Sequence, residues 1–92
     1  MVRSSKLEMN LAILKILASR GPMELPQLTL KTDLSQNVLK QHLAFLIPQN
    51  LVEEQNLGKN GTFYVITERG LRVLKIIVPI IKEARKIPAV LY

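Results

Sequence analysis

The chain has 92 residues, 48% of them hydrophobic, carries a formal net charge of +6 and contains no cysteine. That length fits one domain, and that apolar content excludes an intrinsically disordered chain. The missing cysteine excludes disulfides, thiolate metal sites and cysteine nucleophiles together, a usage that fits a reducing cytoplasm.

Ser5 and Glu8 form a capping box, so a first helix is expected from about Lys6 to Ser19 or Arg20. Gly21 supplies a left-handed stop and Pro22 prevents continuation. Leu7, Leu11, Leu14 and Ala18 fall on one face at helical spacing, while Met9, Ile13 and Ile16 form an adjacent apolar stripe. A helix apolar over so wide an arc is expected to be covered on two sides, the first hint of a dimer. Pro22-Met23-Glu24 reads as extended.

A short second helix is predicted from about Leu25 to Thr32, with Pro26 in its first turn and Leu25, Leu28 and Leu30 as candidate inward positions. Thr32-Asp33-Leu34 is the turn. Ser35 then caps a third helix from Gln36 to about Gln49, with Leu39, Leu43 and Leu46 inward, Val38 and Phe45 flanking, and Asn50 as a left-handed cap. Two β-runs, 51–57 and 62–67, flank Gly58-Lys59-Asn60-Gly61, whose residues suit positive φ, and so predict a hairpin with a polar tip.

Thr67 caps a last helix, from Glu68 to about Arg85. Leu71, Leu74, Val78 and Ile81 form one apolar stripe along it. Val73, Ile77, Ile80 and Ala84 form another, with Ile76 between them, and Arg72, Lys75, Lys82 and Lys86 share the remaining face. One stripe docks on its own domain. Leaving the second exposed would cost several kcal/mol, at ~1.5–3 kcal/mol per fully buried side chain. A homodimer burying Val73, Ile77, Ile80 and Ala84, with Met9, Ile13 and Ile16, is the simplest remedy. Pro79, on the polar side, is expected to kink the helix.

The predicted architecture is mainly α with a β-hairpin: a winged helix-turn-helix over residues 1–66, and a dimerisation helix over 67–92 continuous with the same domain. The motifs support it. Residues 34–46, Leu-Ser-Gln-Asn-Val-Leu-Lys-Gln-His-Leu-Ala-Phe-Leu, are similar to the recognition-helix signature L-S-Q-x-x-V-S-x-H-L-x-x-L of ArsR-type and MarR-type winged-helix regulators. Asn50-Leu51-Val52-Glu53 resembles their entry into the wing, and Ile66-Thr67-Glu68-Arg69-Gly70-Leu71 resembles the I-T-x-x-G-x-x-L that opens their last helix. The overall layout and Ser4-Ser5-Lys6-Leu7-Glu8 resemble small archaeal winged-helix proteins that dimerise through a C-terminal helix and serve as chromatin or regulatory proteins. Lys40 stands where the signature has a small residue, so no base preference carries over.

With Leu39, Leu43 and Leu46 inward, the third helix presents Gln36, Asn37, Lys40 and Gln41 after the cap Ser35. Gln and Asn can bond adenine bidentately, and Lys can bond guanine. Lys59, Asn60 and Thr62 at the wing are candidate phosphate contacts, with Lys31, Lys6 and Arg3 at the flanks. In the resembled signature the position of His42, the one histidine, packs near the turn or touches a phosphate, and the resemblance implies the same here.

The charge is uneven: residues 1–66 balance at +2 and residues 67–92 at +4. Residues 76–81 are too short an apolar run to cross a bilayer, and no apolar stretch lies directly behind Met1-Val2-Arg3. The expectation is a cytoplasmic, nucleoid-associated protein whose partners are double-stranded DNA and a second copy of itself, with no membrane, cofactor, metal, small-molecule ligand or catalytic residue indicated. Two other readings stay open: a general chromatin protein, and a winged helix used only for protein–protein contact.

Overall fold

The computed structural model describes residues 6–86, with 84–86 described by backbone alone. The Ser5 capping box, Arg3, the side chain of Ala84 and the tail beyond Pro88 lie outside the described residues. In chain order come α1 (Lys6–Arg20), α2 (Leu25–Thr32), α3 (Gln36–Leu46), β1 (Val52–Asn56), β2 (Thr62–Ile66) and α4 (Glu68–Lys86). One 3-10 turn, Gly58–Asn60, joins the strands, which pair antiparallel from Val52↔Ile66 to Asn56↔Thr62. Met23 adds a short bridge to the outer side of β2, its N–H and C=O both bonded to Tyr64 at 3.1 and 2.8 Å.

Local chemistry explains the boundaries. Gly21, at φ +85°, ends α1 and donates to the Leu17 carbonyl. At the start of α2, Gln27 Oε1 accepts from the Glu24 N–H at 2.9 Å, half of a capping box. Asp33 closes that helix in the left-handed region, φ +60°, donating to Thr29 O. The regular bonding of α3 stops at Leu46, three residues before the expected end. Its last turn then tightens: Leu51 N–H reaches Leu46 O and Asn50 N–H reaches Ile47 O, with Asn50 at φ +61°. This is a Schellman closure, so the left-handed role expected of Asn50 holds although the helix is shorter. Pro79 lies inside α4, which continues through it to Lys86.

The core joins the four helices and β1: Leu11, Ile13, Leu14 and Leu17 from α1, Met23, Leu28 from α2, Leu39, Leu43 and Leu46 from α3, Val52 from β1 and Leu74 from α4, with Tyr64 and Ile66 of β2 half-buried against it. α4 therefore shares its core with the residues before it.

Three expectations need correction. α1 buries Ile13, fully, and Leu17, while Ala18 is exposed. α1 packs against α2, α3, β2 and α4 of its own chain, and of its large apolar side chains Leu7 stays exposed. Ile13 has no surface left for a partner, and the two-sided helix is not itself a sign of a dimer. Leu30 is 80% exposed because Leu28, with Leu25 half-buried beside it, takes the inward face of so short a helix. Phe45 points largely outward, 53% exposed. No described helix is long and apolar enough to cross a membrane.

Candidate nucleic-acid interface

α2, the Asp33 turn and α3 form a helix-turn-helix whose geometry depends on short bonds. Thr32 Oγ1 donates to Leu28 O at 2.6 Å and accepts from the Leu34 N–H, so the turn is fastened to the end of α2. Ser35 Oγ accepts from the Val38 N–H at 3.2 Å and so starts α3. Ser35 is thus primarily a cap, and Ser35→Ala is expected to lower stability by about 1 kcal/mol. Thermal unfolding should shift down by roughly 4–8 °C for a domain of this size; an unchanged midpoint contradicts the capping role.

With Leu39, Leu43 and Leu46 buried, α3 turns Gln36, Asn37, Lys40 and Gln41 to solvent. None of these side chains has a hydrogen-bond partner among the described residues. Four polar heads on one helix face, none of them spent on the fold, are free to engage an external partner. The structure thus brings together the face that the sequence predicts.

The wing adds Lys59 and Asn60, both exposed at the turn, while Thr62 is half-buried and paired with Asn56. The hairpin is less cationic than its tip suggests. Glu53 and Glu54 are exposed along β1, and Glu53 accepts from Gln55 Nε2 at 2.9 Å. A carboxylate oxygen of Glu24 lies close by Gly61, near enough that a side-chain carbon there would come within 2.9 Å. That acidic neighbour comes from α2's cap and has no signal in the spacing of the wing itself. Burial, and after it Glu54, raises the Tyr64 phenol above its ordinary pKa.

His42 is buried and its Nδ1 lies 2.7 Å from Asn10 Oδ1, tying α3 to α1. Burial, and after it the Lys6 charge, lowers its pKa, so the free protein holds a neutral ring at pH 7. No described group of His, Asp and Glu is arranged to hold a metal ion.

α4 is hooked to the end of α3. Thr67 Oγ1 donates to Asn50 O at 2.7 Å and accepts from the Gly70 N–H at 3.0 Å, and Arg69 Nε donates to Gln49 O at 3.1 Å. Along α4 the expected second stripe divides. Ile77 is half-buried against its own core and Val73 half-buried, whereas Ile76 and Ile80 are 63% and 60% exposed. Met9 and Ile16 are half-buried on α1, Ile16 against the core.

The family model of winged helix-turn-helix proteins matches residues 3–85. No curated protein sequence matches the chain. Among solved structures, BpsR of Bordetella bronchiseptica, whose DNA binding is regulated by 6-hydroxynicotinic acid, is similar with a TM-score of 0.74 at 16% identity, over 82% of this chain and 54% of that one. A MarR family transcriptional regulator from Silicibacter pomeroyi gives 0.72 at 20% identity, over 83% and 52%. The transcriptional regulator YodB from B. subtilis gives 0.76 at 24% identity, over 87% and 80%. At these identities the likeness establishes a common fold, and the chain spans about half the length of the first two.

Proposed function

The chain belongs to the winged helix-turn-helix family, and from that membership we propose that it binds double-stranded DNA as a homodimeric transcriptional regulator. The observation that carries this reading is the outer face of α3, where Gln36, Asn37, Lys40 and Gln41 are exposed and have no hydrogen-bond partner among the described residues. Amide and ammonium heads at that spacing suit the donor and acceptor pattern of base edges in a major groove. Lys59 and Asn60 at the wing supply backbone contacts that set register without reading sequence.

The dimer contact runs along α4 through Val73, Ile76 and Ile80, the strip its own core leaves uncovered. The 3–4 spacing of these positions suits a helix pairing with its symmetry mate. The bonds from Thr67 and Arg69 to the end of α3 carry the orientation of this helix to the reading helix. Dimer geometry therefore sets the separation of the two α3 helices, which must match successive major grooves roughly 34 Å apart.

The test is a hydroxyl-radical footprint on a duplex carrying a selected site. Two protected patches on one face of the DNA, about one helical turn apart, are expected; a single patch contradicts the dimeric reading, and no protection contradicts DNA binding. Independently, Ile76→Glu with Ile80→Glu should halve the mass in sedimentation while the chain stays folded. An unchanged mass removes this strip as the interface. Ile77→Glu is expected to unfold the domain instead, because Ile77 packs on its core.

A further inference from the structure

β2 is paired on both sides, with β1 on one and the Met23 bridge on the other. β1 is paired on one side alone among the described residues, so its far side is the edge of the sheet. The ladder decides which groups line that edge. Thr67 N–H donates to Leu51 O at 3.1 Å and Leu57 N–H donates to Gly61 O at 2.8 Å, just beyond the two ends of the register. Bonded and non-bonded pairs alternate along antiparallel strands, so Glu53 and Gln55 also turn their backbone groups to β2. Val52, Glu54 and Asn56 turn theirs outward.

A row of outward N–H and C=O groups is a template for another extended chain. The side chains along the row select which chain. Glu53 and Glu54 are both exposed, and as neighbours on a strand they stand on opposite faces of it. Asn56 is exposed beyond them, and Leu57 is 50% exposed where the strand ends. In a chain of net charge +6 this edge is locally acidic, with Lys59 only at the turn beyond it. A second copy of β1 fits poorly. Antiparallel pairing about a two-fold axis at Glu54 would set Glu54 against its own counterpart, and like charges directly opposite are destabilising. DNA phosphates would meet the same two carboxylates.

We propose that the open edge of β1 docks a protein partner, which adds an extended segment carrying two adjacent cationic residues as a new outer strand of the wing. Main-chain bonds to Val52, Glu54 and Asn56 hold the segment. Its two cations, on opposite faces like the carboxylates they meet, pair with Glu53 and Glu54, and an apolar residue covers Leu57. The same two carboxylates that keep copies of the chain from joining edge to edge thus make the edge selective. This surface is separate from the outer face of α3, so it stands whether or not α3 reads DNA.

The experiment uses the full isotope-labelled chain and a blocked synthetic peptide, acetyl-Val-Thr-Thr-Lys-Lys-Val-amide, whose antiparallel register sets lysines opposite Glu54 and Glu53 and a valine opposite Leu57. In the free chain the Glu54 and Asn56 amides should exchange with solvent quickly, and those of Glu53 and Gln55 slowly. Peptide at millimolar concentration should shift the β1 signals and slow the exchange of Glu54 and Asn56 several-fold. Glu53→Lys with Glu54→Lys, checked by circular dichroism, should lower peptide affinity about tenfold or more. A peptide N-methylated at the lysine opposite Glu54 keeps its charge but loses a ladder bond, and should bind far more weakly.

Glu54 and Asn56 amides already protected in the free chain overturn the open edge, and protection that grows with protein concentration assigns it to a second copy instead. Unmoved β1 signals overturn the docking site. Equal binding of the N-methylated peptide overturns strand addition and leaves charge attraction alone. Duplex DNA is added in a separate arm: if it slows the same amides, the edge is a DNA contact and the protein partner is wrong. A chain that binds no duplex but takes up the peptide refutes the DNA reading and leaves this one standing.

Discussion

Gly70→Ala is expected to destabilise the domain by about 1–3 kcal/mol, lowering its thermal midpoint by roughly 4 °C or more. Gly70 is buried in the first turn of α4, where that helix crosses the end of the hairpin. A β-carbon there would sit 2.4 Å from the carbonyl oxygen of Leu51 and 2.6 Å from Ile66 Cγ1. The isoleucine can rotate away, but the carbonyl is backbone and already accepts from the Thr67 N–H at 3.1 Å. Moving it strains that bond and the adjoining Val52↔Ile66 pair. Alanine favours a helix over glycine by about 1 kcal/mol. Overpacking at about 1–3 kcal/mol plus a weakened hydrogen bond at about 1 kcal/mol outweighs this gain. Denaturant unfolding of the variant checks it, and a midpoint at or above wild type contradicts the close approach. The same contact explains in physical terms why a glycine stands three residues after the cap Thr67.

Lys40→Ala with Gln41→Ala is expected to lower affinity for a preferred duplex about a hundredfold or more. Each well-placed base contact contributes about 1–3 kcal/mol of discrimination, and tenfold in affinity corresponds to about 1.4 kcal/mol. Both side chains are exposed and make no hydrogen bond among the described residues, so the fold should be unaffected. Loss of the Lys40 charge should also weaken binding to unrelated sequences, though by less, so the ratio of preferred to unrelated affinity falls. Fluorescence anisotropy with both duplexes measures this ratio. Undiminished affinity in the folded double variant removes α3 as the reading helix.

Much of this arrangement was legible in the residues because its signals are local. Pro26 in the first turn and Asp33 after the last bound α2 at its observed ends, Ser35 and Thr67 cap the helices expected of them, and the residues 58–61 turn the hairpin. What escaped is what depends on neighbours distant in sequence. α1 is apolar nearly all round, so periodicity identifies a helix but not which element covers which side. Ile13 and Leu17 are buried by partners that spacing alone does not reveal. On α4, Ile76 and Ile77 are adjacent residues about 100° apart around the helix. Only the packed core decides that Ile77 turns inward and Ile76 outward. The same holds for the site: the outer face of α3 follows from its own apolar spacing, whereas the His42–Asn10 bond spans 32 residues and the approach of Glu24 to Gly61 crosses from α2's cap to the wing.

The central claim is that α3 and the wing dock on duplex DNA, and binding of the purified chain to mixed-sequence duplex across a salt series tests it most directly. Affinity should fall log-linearly with salt, at a slope of about −0.9 for each phosphate neutralised, and then favour particular sequences over the mixture. Salt-dependent binding with no preference among sequences would mark a general chromatin protein. Absence of binding even at low salt would contradict the account and assign the exposed face of α3 to a protein partner.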